Sequence, residues 1–334
     1  MHAPDPLARN AVTVTGNPEA ARTIVFVHGF GTDQNAWKDI TPAFVDDFRI
    51  VLLDNVGAGR ADPQAFVQHR YLNLSQYAHD LLDVCHALKL RDAILVGHSV
   101  GAMIGVLATI AEPDCFAKLV LIGASPRYLD DGEYHGGFTT QQLNDLYQAV
   151  TLSYAEWAGQ FASLAMANED RPGLAAAFAE TIRDIPKDRA LTVLCSVFQS
   201  DHRADVRRLD KPTLLVHAHG DIAVPESVAG YLQRAITGSR LVMIDAQGHL
   251  RTSARRPGLL RRSRTSSAAA TPPRRRTTNE TCLVQPRAIG SPSPQSTHRP
   301  PCRRVWPGTR RNTPPAAPSL GGVRTPAGVF RAPG

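Results

Sequence analysis

The sequence predicts an α/β protein built on a mostly parallel sheet with helices on both faces. Three observations predict it. Short apolar, β-branched runs recur along residues 1–250, and three of them run straight into a glycine- or aspartate-marked turn. Stretches with helical spacing separate the runs, the order that parallel strands require. The runs are continuously apolar rather than alternating, as in strands buried on both faces.

In chain order, Thr23-Ile24-Val25-Phe26-Val27 reads as a buried strand entering the tight loop His28-Gly29-Phe30-Gly31. Residues 49–53 form a second strand, closed by Asp54-Asn55-Val56-Gly57-Ala58-Gly59. Its Gly57-x-Gly59 lacks the third glycine and the following helix of a dinucleotide loop. Over residues 74–88, Tyr77, Leu81, Leu82, Cys85 and Leu88 share one helical face. Residues 93–96 are a third strand, followed at once by Gly97-His98-Ser99-Val100-Gly101 and by helical spacing over 102–110. Residues 119–122 and 213–216 are further strands, and 240–244 the last. The roughly 90 residues between 122 and 213 carry helical periodicity and no strong strand. They read as a helical cap over the active-site end of the sheet. The expected organisation is a core of residues 1–126 and 199–250, a cap at 127–198, and a tail at 251–334. No internal repeat is present.

The composition, 43% apolar and 20% charged, excludes global disorder. No apolar run approaches the length of a membrane span. Met1-His2-Ala3-Pro4-Asp5 shows no basic segment leading into an apolar run, so no secretory signal is read. The five cysteines have neither paired metal spacing nor the density of a disulfide scaffold, which suits a reducing cytoplasm.

The net charge of +7 averages two unlike segments. Residues 251–334 hold 17 Arg, no Lys, a single acid (Glu280) and 14 of the 25 prolines, for a charge of +16; the first 250 residues therefore carry −9. Three readings compete for this tail: a basic arm for nucleic acid, a Pro-rich linker, and a shifted reading frame in a GC-rich gene. The genetic code discriminates among them. Back-translating Arg251-Thr252-Ser253-Ala254-Arg255-Arg256 and restoring one preceding base yields codons compatible with Pro-His-Leu-Ser-Ala-Pro. That favours the shifted frame.

Gly97-x-Ser99-x-Gly101, directly after a strand and before a helix, is a nucleophile elbow, the signature of the α/β-hydrolase fold. The glycines permit the close backbone approach of a sharp turn that lifts the Ser99 hydroxyl to the carboxyl end of the sheet. A serine hydroxyl needs a base, and the base needs an orienting acid. In this fold they follow in the order Ser, Asp/Glu, His. Asp221, in Gly220-Asp221-Ile222-Ala223-Val224-Pro225, fills the acid slot, although it would equally serve as an N-cap ahead of Pro225. His249, just past the last strand, fills the base slot; an ordinary loop histidine is the alternative. Acyl transfer also needs donors for an oxyanion. The Val100 N–H supplies one, and Phe30 in the His28–Gly31 loop the second. His217 and His219 have zinc-like spacing but no evident third ligand, so neither a metal site nor a cofactor is expected.

These motifs reach past a generic hydrolase. His28-Gly29-Phe30-Gly31-Thr32-Asp33-Gln34, Gly97-His98-Ser99-Val100-Gly101-Ala102-Met103-Ile104-Gly105, Tyr134-His135-Gly136-Gly137-Phe138 and Ser200-Asp201-His202-Arg203 resemble the RsbQ-like hydrolases over residues 8–250. This is a family of bacterial stress-response regulators, kin to the karrikin and strigolactone receptors of plants. The resemblance implies a four-helix cap enclosing a small apolar pocket lined by Phe30, Phe138, Trp157, Phe161 and Phe198. It implies a small apolar ester or lactone as ligand, slow hydrolysis, a PAS-domain phosphatase as downstream partner, and a cytoplasmic location. The family continues past the histidine into a closing helix that residues 251–334 do not resemble. Losing it forfeits on the order of 10 kcal/mol of apolar burial, against about 5–15 kcal/mol of total stability for a typical domain. Three other readings stay open: a signalling module with incidental esterase activity, a frameshifted and inactive hydrolase, and a nucleic-acid binder acting through the tail.

Overall fold

The computed structural model describes residues 5–167 and 171–249, with backbone alone for 246 and 247. The expected tail at 251–334 and the expected loss of a closing helix lie outside the described residues.

Seven strands, β1 (Thr13–Gly16), β2 (Thr23–Val27), β3 (Arg49–Leu53), β4 (Ala93–His98), β5 (Phe116–Ile122), β6 (Thr213–Gly220) and β7 (Arg240–Gln247), form one sheet. Their order is β1-β3-β2-β4-β5-β6-β7. All neighbours run parallel except β1, which pairs antiparallel with β3 and sets Val14 opposite Val51. The sheet is the mostly parallel one that the sequence predicts, within an α/β-hydrolase fold. β1 is the strand that sequence reasoning misses. It is a short edge strand with Val14 45% exposed, so it lacks the continuous apolar run that marks its neighbours.

Side-chain alternation splits the core in two. In β2, Val25 and Val27 face one side, Ile24 and Phe26 the other; in β4, Leu95 opposes Ile94 and Val96; in β5, Leu119 and Leu121 oppose Val120 and Ile122. Helices α1 (Pro6–Arg9), α2 (Ser75–Ala87) and α3 (Val100–Ala111) precede β5. Leu81, Val84 and Cys85 of α2 and Met103, Ile104 and Val106 of α3 pack on the Val25/Leu95/Leu119 side. On the opposite side Trp37, Ile40, Phe44 and Phe48, from the short helical turns after β2 and the approach to β3, cover Phe26 and Ile50.

Between β5 and β6 the chain leaves the sheet. Residues 123–139 form an extended connection, tied back by bridges between Leu129 and Phe138 and between Asp131 and Tyr134. Four helices follow: α4 (Thr140–Leu152), α5 (Tyr154–Met166), α6 (Pro172–Arg183) and α7 (Lys187–Phe198). A capping box starts α4, with the Thr139 hydroxyl accepting from the Gln142 N–H and the Gln142 side chain accepting from the Thr139 N–H. The Tyr154 hydroxyl donates to the carbonyls of Ile182 and Ile185 and pins α5 against α6. Helices α8 (Arg203–Val206) and α9 (Glu226–Ala235) complete the described chain.

Candidate active site

Ser99 stands between the end of β4 and the first residue of α3, with φ +53° and ψ −123°. A residue bearing a β carbon adopts this backbone only when its surroundings impose it, at about 1–3 kcal/mol. The surroundings here are close. A β carbon on Gly101 would collide with the carbonyl oxygens of Val27 and His28, so only glycine lets α3 start this near β2. The Ser99 N–H donates to the Ile122 carbonyl of the neighbouring strand at 2.9 Å.

Asp221 and His249 follow the ends of β6 and β7, and parallel strands deliver them to the same edge of the sheet as Ser99. The Ser99 hydroxyl lies 2.8 Å from His249 Nε2. His249 Nδ1–H donates to Asp221 at 2.8 Å (Oδ2) and 3.0 Å (Oδ1). Asp221 Oδ1 also accepts from the Ala223 and Val224 N–H groups at 2.9 and 3.0 Å. Burial alone would favour the neutral acid; the neighbouring His249, its hydrogen bonds and His217 outweigh it and hold the carboxyl below its ordinary value. These two backbone bonds, to residues two and three further along, close an Asx-type turn; the N-cap of the helix that follows is Pro225, so Asp221 does not cap it.

Two further buried histidines frame the site, neither of them singled out from the sequence. His98 Nε2–H donates to the His249 carbonyl at 3.0 Å, and the two rings are 5.0 Å apart. Burial, and then the proximity of His249, lowers the His98 imidazole to about 3, so it is a neutral strut. His28 accepts from the Asn55 N–H through Nε2 and donates from Nδ1 to the Gly29 carbonyl, with Asn55 Nδ2 donating back to the His28 carbonyl. This lock holds the His28–Gly31 loop. Gly29 lies so close to the elbow that a β carbon there would stand 2.6 Å from His98 Nδ1 and 3.2 Å from Ser99 Cβ. Val100 opens α3, so its N–H belongs to the helical turn whose donors have no intrahelical acceptor. Phe30, next to Gly29, lines the cavity onto which Ser99 opens.

A cavity of about 30 Å³ opens on Ser99 and His249. Phe30, Phe161 and Phe198 line it, together with Tyr128, Phe178, Leu194 and Val197. Phe138 and Trp157, which the resemblance places in the lining, stand behind it. Trp157 stacks on Phe161 with ring centres 5.2 Å apart, and Phe138 meets Phe198 edge-on, also at 5.2 Å. They are a second layer because α5 and the 123–139 connection turn Phe161 and Tyr128 inward instead. The Tyr128 hydroxyl is 3.4 Å from Ser99 Oγ, and burial raises its pKa and keeps it protonated. The cap also grips the histidine loop: the His249 N–H donates to the Ala165 carbonyl, near the end of α5, at 2.7 Å.

His217 and His219 each have separate partners. Buried His217 donates from Nε2 to the Val224 carbonyl at 2.9 Å, whereas exposed His219 meets Glu226 Oε1 at 2.9 Å. A larger groove, lined by Tyr134, Arg203, Arg207 and Tyr231 among others, lies apart from Ser99.

An elbow serine, a buried imidazole and a carboxylate at the carboxyl edge of a parallel sheet define an α/β hydrolase. Residues 22–251 match the family model described as alpha/beta hydrolase fold, and the chain belongs to that family. Among its relatives, karrikin insensitive 2 receptor CA of Petunia hybrida is 40% identical over 240 residues, covering 72% of this chain and 88% of the receptor. The strigolactone esterase of Arabidopsis thaliana is 40% identical over 230 residues, or 69% of this chain and 86% of the esterase. Among solved structures, a hydrolase from Oleispira antarctica matches with a TM-score of 0.72 at 29% identity, covering 74% of this chain and 90% of that one. No described helix is long and apolar enough to cross a membrane.

Proposed function

We propose that this chain is a serine hydrolase that binds a small apolar ester or lactone and cleaves it slowly, in the manner of the RsbQ-like regulators. The observation that carries the reading is the unbroken hydrogen-bonded line from Ser99 through His249 to Asp221, facing an apolar cavity. In this reading Ser99 Oγ attacks the acyl carbon while His249 Nε2 takes its proton. Asp221 stabilises the imidazolium, and the N–H groups of Val100 and Phe30 hold the oxyanion. The proton then passes to the leaving alkoxide, and water releases the acyl group by the reverse sequence. Aromatic walls with few polar groups favour a neutral ester or lactone over a charged metabolite. The test is turnover of p-nitrophenyl acetate by the full chain and by Ser99→Ala. Activity in the wild type that Ser99→Ala abolishes supports the assignment; equal rates in the two proteins overturn it.

A second reading makes hydrolysis incidental to signalling, with a PAS-domain phosphatase as the partner and stress-response regulation as the output. The hydrogen bond from the His249 N–H to α5 favours it, because cap movement and the base are then mechanically linked. The likeness to a karrikin receptor supports it as well. Cap-surface substitutions that abolish phosphatase binding while leaving ester turnover intact would separate the two readings. We also propose that the reading frame shifts just after Leu250. The supports are the codon arithmetic, the change in composition, and the end of the family match at residue 251. Resequencing the coding DNA across codons 248–258 tests it.

A further inference from the structure

Away from the candidate active site, the end of α2 and the turn after α3 bring together chemistry that the hydrolase reading does not use. Cys85 and His86 lie in the last turn of α2. Glu112 caps α3, and Cys115 closes the 3-10 turn Pro113–Cys115. His86 Nε2, a Glu112 carboxylate oxygen and Cys115 Sγ all lie within 4.8 Å of one another. The imidazole is 2.6 Å and the thiol 3.7 Å from the same oxygen, Glu112 Oε2. The group lines an open surface recess of about 510 Å³, so an ion would reach it from solvent. Cys85 lines the same recess.

We propose that this recess is a zinc site, with Cys115 Sγ, His86 Nε2 and the Glu112 carboxylate as ligands and a water in the fourth position. The donor set decides the metal: a thiolate with an imidazole favours zinc over magnesium or calcium, which take oxygen ligands. Zinc bonds of about 2.0–2.3 Å at tetrahedral angles put ligand atoms about 3.3–3.6 Å apart. The two short separations here straddle that range, and the side chains that must shift, His86 and Glu112, are the exposed ones, with 57% and 41% of their surface open. Buried Cys115 anchors the site. On binding, the Cys115 S–H bond breaks, its proton goes to solvent, and a Zn–S bond forms with no change of oxidation state. The ion would staple α2 to the turn leading into β5, at the edge of the sheet opposite Ser99.

The test is cobalt titration of the full chain after chelator treatment in reducing buffer. The expected result is one equivalent bound, with a thiolate-to-cobalt charge-transfer band and four-coordinate visible bands that zinc bleaches. His86→Ala and Glu112→Gln, at exposed positions, weaken binding by about tenfold or more, and Cys115→Ser removes the charge-transfer band. Zinc raises the Tm of the wild type and not that of His86→Ala, while ester turnover stays unchanged in that variant. Absence of the charge-transfer band overturns the proposal. So does a band of full strength in His86→Ala, which would assign the metal to other thiols such as Cys282 and Cys302. If Cys115→Ser folds poorly, His86→Ala alone decides.

Discussion

Acid destabilises this chain through imidazoles that the fold keeps neutral, and His98 allows the effect to be sized. Its ordinary value is 6.5, and in the folded protein burial, followed by the neighbouring His249, lowers it to about 3. Between those limits the unfolded chain binds a proton at this residue that the folded chain refuses. Stability is therefore complete above about pH 6.5 and falls as the pH drops toward 3. At a pH of about 5, some 1.5 units below the unfolded value, the loss from His98 is about 2 kcal/mol. His28 and His217 shift the same way, burial outweighing the attraction of Asp54 and Asp221 respectively, and they steepen the slope. Asp221, held below its ordinary value of 3.8, adds its loss only at more acid pH. The assay is urea unfolding followed by tryptophan fluorescence, at about pH 7.5 and about pH 5, for the wild type and for His98→Gln. The glutamine amide still donates to the His249 carbonyl but does not titrate. The variant is expected to lose about 2 kcal/mol less than the wild type over this interval. Equal losses in the two proteins would refute the claim that His98 is folded as a neutral strut.

Four other outcomes follow from the same geometry. Ser99→Gly removes the β carbon from a left-handed backbone and is expected to gain about 1 kcal/mol of stability while ester turnover falls to background; a lowered Tm would contradict the strain. Asp221→Asn leaves His249 in the wrong tautomer and is expected to reduce kcat on the order of 10⁴-fold with little change in KM; a loss under about tenfold would count against the assigned role. Gly101→Ala drives a methyl group into the Val27 and His28 carbonyls, at a cost of about 1–3 kcal/mol measured by urea unfolding. Phe161→Ala enlarges the cavity beside Ser99 and costs about 3–5 kcal/mol, and it is expected to shift preference from acetyl toward longer acyl esters. Unchanged chain-length preference would mean that Phe161 does not bound the acyl site.

The parts of this protein legible in its sequence are those whose cause is local. Six strands show as apolar runs because both faces of a parallel sheet are covered. The elbow shows because a sharp strand-to-helix turn admits glycine at 97 and 101, and because Ser99 lies between them. β1 is not legible, since an edge strand half open to solvent needs no apolar run. The site itself is partly legible. Asp221 and His249 can be picked out because each follows a strand in the order that the fold requires, although 28 residues separate them and 150 separate His249 from Ser99.

What tertiary structure alone decides is which side chains meet. No periodicity places His98 under the His249 carbonyl, or Tyr128 rather than Phe138 at the cavity wall. Nor does any spacing rule join Cys85 and His86 to Glu112 and Cys115, which come from two elements about thirty residues apart. Backbone preference and burial are encoded over a few neighbouring residues, whereas contact depends on the packing angles of whole helices and on the register of the sheet. The sequence by itself therefore determined the fold class and singled out Ser99, Asp221 and His249 as candidates for hydrolytic chemistry. The packing of the cap on the sheet decided the shape of the cavity they face.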